Sequence, residues 1–115
     1  DALAISIGNA HGNYTALPRF DFERLAAIRE KVKVPLVLHG GTGTPQEDLR
    51  KAISLGIAKV NVASALVHGM RGSLMGQWQA GRNTWAPVAQ AEALTPVRSA
   101  VVEWIRKLGA EGKAG

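Results

Sequence analysis

Residues 35–44, PLVLHGGTGT, constrain the fold more tightly than any other stretch of this chain. Pro35 opens a short apolar run, Leu36, Val37 and Leu38, of the kind found in parallel strands covered on both faces. His39 stands where the run stops. Gly40, Gly41 and Gly43 strip the next turn of side chains, so backbone N–H groups can approach an anion closely. Thr44, Pro45 and Glu47 read as a helix start, with Thr44 as N-cap, Pro45 at the first helical position and Glu47 closing a capping box. A strand, a polar side chain, a bare turn and a helix N-terminus describe a phosphate-sized site with a metal-ligand candidate at its edge.

The flanking sequence repeats the rhythm. Residues 2–7 read as a strand of small and β-branched residues that runs into Gly8-Asn9-Ala10-His11-Gly12. Asp21 caps an expected helix over 22–32, with Phe22, Leu25, Ala26, Ile28 and Val32 at helical spacing. The second helix is expected over 45–55, with Leu49, Ala52 and Ile53 inward and Gly56 as its C-terminal cap. Residues 57–62 form a third strand that ends in Asn61-Val62-Ala63-Ser64, and a helix follows over 65–75. Alternating strands and helices predict an α/β fold with a parallel sheet and right-handed crossovers. Between 71 and 87, Gly72, Gly76, Gly81, Asn83 and Pro87 predict a broken helix and loop, and the whole stretch over about 72–94 is expected to be irregular. Thr95-Pro96 then opens a last helix over 96–108, with Val97, Val101, Trp104, Ile105 and Leu108 as its apolar stripe.

Composition narrows the function classes. A length of 115 residues allows one modest core, so at most one domain is expected. There is no cysteine, which excludes a disulfide scaffold and a thiolate zinc site and agrees with a reducing, cytoplasmic setting. The net charge of +5 favours anionic small molecules. No Lys/Arg cluster is interleaved with aromatics, so nucleic acid is not an expected partner. No apolar run approaches the roughly 20 residues of a membrane span, so no membrane partner is expected.

His11 and His39 both follow a strand and both precede glycine, 28 residues apart. On neighbouring parallel strands, roughly 4.8 Å apart, two such residues lie at the same end of the sheet and could reach one ion. Neutral imidazole suits zinc, but a catalytic zinc takes three protein ligands. The remaining histidine, His68, falls inside a helix and does not repeat the pattern. A plainer reading stands beside this one: satisfied polar histidines, glycines that only make a tight turn, and an Asn61–Ser64 segment that is only a helix cap. Against it, three successive strand ends carry polar or glycine-rich groups, and sites assemble at the C-terminal ends of parallel strands.

The stretches DALAISIGNAHGNY, LPRFDFERLAAIRE, VPLVLHGGTG, LRKAISLGIAKVNVAS and ALTPVRSAV closely resemble the C-terminal part of class II, zinc-dependent ketose-bisphosphate aldolases. AHG followed by LHGGTG and NVAS at these spacings is the specific part of the match. The resemblance implies a TIM barrel, of which this chain supplies about the last three βα units and a C-terminal helix. It implies that His11 and His39 are zinc ligands. Gly12, Gly40, Gly41 and Thr42 match loop residues that bind the dihydroxyacetone-phosphate part of the substrate. Asn61, Val62, Ala63 and Ser64 match the last segment of that site, with Asn61 near the reacting carbons and Ser64 near the phosphate. Thr42 stands where Ser is common and Ser64 where Thr is common, and both keep a hydroxyl. Ala65 stands where the family often has an acidic residue.

The family's third zinc ligand and its acidic proton donor form an Asp-His pair in the earlier half, and no such pair occurs here. A complete barrel needs eight βα units and typically about 250 residues. These residues are therefore expected to belong to a longer protein or to pack against another chain that supplies the N-terminal barrel half. The activity implied is reversible aldol cleavage of a ketose (bis)phosphate in carbohydrate metabolism, by a homo-oligomer, dimer or tetramer. Two other classes stay open from the residues: a metal-free phosphate-binding barrel enzyme, and a non-catalytic half-barrel that serves as an interaction module.

Overall fold

A computed structural model describes residues 1–9, 18–82 and 85–113. Its elements run β1 (Leu3–Ile5), α1 (Phe22–Lys31), β2 (Leu36–Leu38), α2 (Gln46–Ser54), β3 (Ile57–Val60), α3 (Ser64–Gln79) and α4 (Ala86–Lys107). The chain divides into two compact units, residues 1–62 and 63–115.

In the first unit the strands form a parallel sheet in the order β1-β2-β3. Ladder rows Leu3–Leu36–Ile57 and Ile5–Leu38–Val60 put one set of side chains on one face, with an irregularity at Ala58 bringing Ile57 and Val60 to the same side, and the row Ala4–Val37–Lys59 puts the other set opposite. The first face is the core face: Ile5, Leu36, Leu38 and Ile57 are buried, together with Leu25 of α1 and Leu49 and Ala52 of α2. On the opposite face Val37 is buried while Ala4 and Lys59 are exposed. Leu36, Val37 and Leu38 are all buried, as the central apolar run predicts. The two outer strands are less covered: Leu3 and Ala4 of β1 and Ala58 and Lys59 of β3 are exposed, and only Ile5 and Ile57 are buried.

Helix α1 starts as expected, with the Asp21 side chain accepting from the Arg24 N–H at 2.8 Å. Lys51 of α2 sits 4.2 Å above the Phe22 ring, a cation–π contact between α1 and α2. Gly56 closes α2 at a φ of 113°, and its N–H donates to the Ile53 carbonyl at 3.0 Å.

The second unit is a helical hairpin, and here the sequence expectation needs correction. Helix α3 runs unbroken through Gly69, Gly72 and Gly76, and α4 begins at Ala86, ten residues before the expected start at Pro96. The expected irregular segment over 72–94 is mostly helix. Helix-breaking residues lost here to packing. Ala89 and Ala93 are fully buried. Buried Gln77 donates from Nε2 to the Ala89 carbonyl at 3.2 Å, joining the two helices. Arg82 pairs with Glu92 at 3.6 Å across the same turn. Pro96 lies inside α4, against Gly69, where an added Cβ would stand 3.8 Å from the Pro96 carbonyl oxygen. Of the expected stripe on this helix, Trp104 is buried, whereas Val101 and Ile105 are exposed. Among the described residues no helix is long and apolar enough to cross a membrane.

Candidate functional site

The site is built at the C-terminal end of the sheet, around His39. Backbone ties hold this residue from both sides. On the β1 side, the Asn9 side-chain amide donates to the His39 carbonyl, and the Ile7 N–H donates to Asn9 Oδ1 at 3.3 Å. On the β3 side, the Asn61 N–H donates to the Leu38 carbonyl at 2.9 Å, and the Gly41 N–H donates to the Asn61 carbonyl at 3.0 Å. The ladder thus continues past the strands and fixes where the histidine leaves the sheet.

The imidazole is half-buried. Its Nδ1 lies 3.2 Å from Asn61 Nδ2. Asn61 Oδ1 accepts a 2.6 Å hydrogen bond from Lys59 Nζ. Ala4, Ile5, Ser6, Asn9 and His39 line an open cavity of about 250 Å³. Ala4, Ser6, Lys59 and Asn61 belong to the polar face of the sheet, because side chains two apart on a strand share a face.

The glycine turn follows. Gly40 and Gly43 have φ of 63° and 85°, left-handed values that side-chain-bearing residues rarely adopt. The Gly41 N–H donates to the Asn61 carbonyl, so Gly41 ties the turn to the end of β3. One expectation changes here. Thr44 is not the N-cap of α2: Pro45 holds that position, with no side-chain cap, and the expected capping box does not form. The cause is local. The Thr44 N–H closes a turn onto the Gly41 carbonyl at 3.2 Å, and Pro45 remains extended at a ψ of 141°. The helix therefore starts one residue late. The Thr44 hydroxyl is left buried with no hydrogen-bond partner among the described residues.

His39, Gly40, Gly41, Thr42 and Asn61 come together in the first unit. Val62 ends that unit. Ala63 is the N-cap of α3 and Ser64 its first residue, so Ser64 is not the cap that the plainer reading allowed. His11 and Gly12 lie outside the described residues. His68 is exposed on α3, in keeping with a helix-surface role. Among the described residues no three His, Cys, Asp or Glu side chains are placed to hold a metal, which leaves His39 as the described member of the expected pair.

Sequence reasoning missed Asn9 and Lys59. Asn9 sat unremarked in a glycine turn, and only the spatial neighbourhood of His39 gives it a role. Lys59 was legible: two residues before Asn61 on a strand, it shares Asn61's face.

The histidine and the glycine turn lie at the C-terminal end of a parallel α/β sheet, the end at which sites assemble in folds of this class. The comparisons narrow this. The family model for class II fructose-bisphosphate aldolases matches residues 1–113. This chain belongs to that family. It is similar to the YdjI aldolase of Escherichia coli K12, with 36% identity and a TM-score of 0.86 over 100% of this chain and 42% of that one. A Coccidioides immitis protein assigned as a fructose-1,6-bisphosphate aldolase matches with 31% identity and a TM-score of 0.87, over 98% of this chain and 39% of that one. The chain thus spans about two fifths of the length of these proteins.

Proposed function

We propose that these residues act as the C-terminal part of a TIM-barrel class II aldolase. The enzyme would reversibly cleave a ketose (bis)phosphate into dihydroxyacetone phosphate and an aldehyde. The observation that carries this reading is the setting of His39. A half-buried imidazole ends the central strand, with the Asn61 amide at its Nδ1 and a bare glycine turn beside it. The sheet supports the barrel, since among the described residues β1 and β3 each have a strand neighbour on one side only, leaving an edge that further strands would cover.

The donor chemistry fits zinc, which takes imidazole nitrogen readily. His39 and His11 would hold it, with a third ligand from the N-terminal barrel half. When bound, zinc supplies Lewis-acid polarisation of the substrate ketone. The other roles belong to the chain's own residues. The turn at Gly40 and Gly43 keeps side chains away from the phosphate, and Gly12 does the same after β1. The Thr42 hydroxyl donates to a phosphate oxygen. The Asn61 amide orients the reacting carbons, and the Gly41 tie keeps Asn61 in register, which is positioning catalysis. The carboxylic acid that moves the proton at the aldehyde-derived oxygen comes from the other barrel half.

The test is His39→Ala in the complete protein, with zinc measured by elemental analysis and cleavage assayed on fructose- and tagatose-type bisphosphates. Loss of bound zinc together with loss of cleavage is the expected result. Full zinc occupancy in the variant overturns the assignment.

A further inference from the structure

We propose that Asn9 is a positioning residue for His39. Its side-chain amide takes over where the β1–β2 ladder stops, and it carries the fixed position of buried Ile7 across to the histidine backbone. The consequence for metal binding rests on reading His39 as a zinc ligand, whereas the tie itself does not.

The ladder between β1 and β2 ends at the pair Ile5–Leu38, so His39 stands one residue beyond the last paired position. There β1 turns away, at a Gly8 φ of 99° and with the Arg19 carbonyl oxygen packed where a Cβ would stand. Strand ends without further ties fray. A zinc ligand has little room for that, because zinc–imidazole distances are about 2.0–2.1 Å and a working site is held within about 0.5 Å. Asn9 answers the need. Its Oδ1 accepts from the Ile7 N–H at 3.3 Å, and its Nδ2 donates to the His39 carbonyl. Chemistry settles the orientation of the amide: a backbone N–H can face only its oxygen, and a backbone carbonyl only its NH₂. Turning the amide over would break both bonds. Ile7 is itself anchored. Its side chain is fully buried, and its carbonyl accepts at 2.8 Å from the N–H of Asp21, the N-cap of α1. The path Ile7–Asn9–His39 therefore ties the histidine to the core on the β1 side, as the Asn61–Leu38 and Gly41–Asn61 bonds tie its neighbours on the β3 side. Asn9 also lines the open cavity beside His39, with Ala4, Ile5 and Ser6. Without the amide, the histidine backbone could shift toward that free space. Groups that hold a metal ligand without touching the metal commonly change metal affinity about 10–100-fold when they are removed.

The experiment uses the complete protein. Zinc affinity of the folded protein is measured by competition with a chelator, alongside kcat, KM and urea unfolding. Asn9→Leu matches asparagine in size and makes neither bond. Asn9→Asp keeps the acceptor for Ile7 and loses the donor to His39. Both variants are expected to bind zinc about 10–100-fold more weakly. At saturating zinc, kcat falls while KM stays near the wild-type value, because the glycine turn keeps its tie to Asn61. The aspartate variant is the sharper test: if its negative charge acted only through attraction to the cation, zinc binding would tighten. Tighter binding there overturns the proposal. So does a lowered urea midpoint with zinc affinity unchanged in both variants, which is the mark of a merely structural residue. Should neither variant fold, the metal-free wild type decides through the Asn9 side-chain amide protons, followed by NMR in ¹⁵N-asparagine-labelled protein. Slow exchange with water is expected, and free exchange overturns the proposal. His39→Ala separates this inference from the aldolase reading. Full zinc occupancy in that variant removes the ligand assignment, and the Asn9 tie then stands or falls on the amide exchange.

Discussion

Leu25, Leu36, Leu38 and Leu49 are fully buried in the first unit, whereas in the second Trp85 is 71% exposed and Val67 61%. Both units are rich in apolar residues, so composition does not explain the difference. Layering does. In the first unit, core-face strand positions and two amphipathic helices contribute to one core, and large side chains meet there. In the second, two helices meet along a seam of small residues, Ala89 and Ala93, with Gly69 facing Pro96. Two helices offer no third layer, so Met75, Trp78, Val88 and Leu94 stay exposed. Burial is therefore concentrated where the candidate site is anchored. The strand ends that present Asn9, His39 and Asn61 grow out of the better-packed half of the chain.

This contrast can be broken by substitution in the complete protein, with stability read from urea unfolding. The largest effect is expected from Leu38→Ala, a fully buried site on the central strand next to His39. It should cost about 2–5 kcal/mol. Trp85→Ala, which removes a larger apolar side chain, should stay within about 0.5 kcal/mol because the site is already exposed. Equal losses at the two positions would refute the contrast. Gly8→Ala comes next. Gly8 has a φ of 99°, and an added Cβ would run into the Arg19 backbone carbonyl oxygen. A loss of about 1–3 kcal/mol is expected, whereas an unchanged unfolding midpoint would mean that the two backbones can separate freely. The smallest effect has the opposite sign. Gly72 lies inside α3 with nothing within 4 Å of an added Cβ, so Gly72→Ala should stabilise by about 0.5–1 kcal/mol. Destabilisation there would show that the exposed surface of α3 is closely covered in the complete protein.

The two units also differed in how far they could be read. Asp21 capping α1, the buried run Leu36–Leu38 and the Gly56 stop of α2 followed from local chemistry that acts over a few residues. Gly72, Gly76 and Pro96 misled, because helix-breaking propensities are of the order of 1–3 kcal/mol and contacts between helices outweigh them. Thr44 failed as a cap for a related reason. The turn that ties Thr44 N–H to Gly41 depends on the Gly41–Asn61 bond, and that partner is twenty residues further along the chain.

Sequence determined the order of strands and helices, the parallel sheet, the family and the candidate roles of His39, Gly40, Gly41, Thr42 and Asn61. Periodicity, turn chemistry and motif spacing are carried by neighbouring residues and need no third dimension. Tertiary structure alone decided that Gly41 serves the backbone of Asn61 and that Asn9 holds His39 from the other side. Each is a hydrogen bond whose distance and direction depend on strand register, and register exists only once the strands have paired.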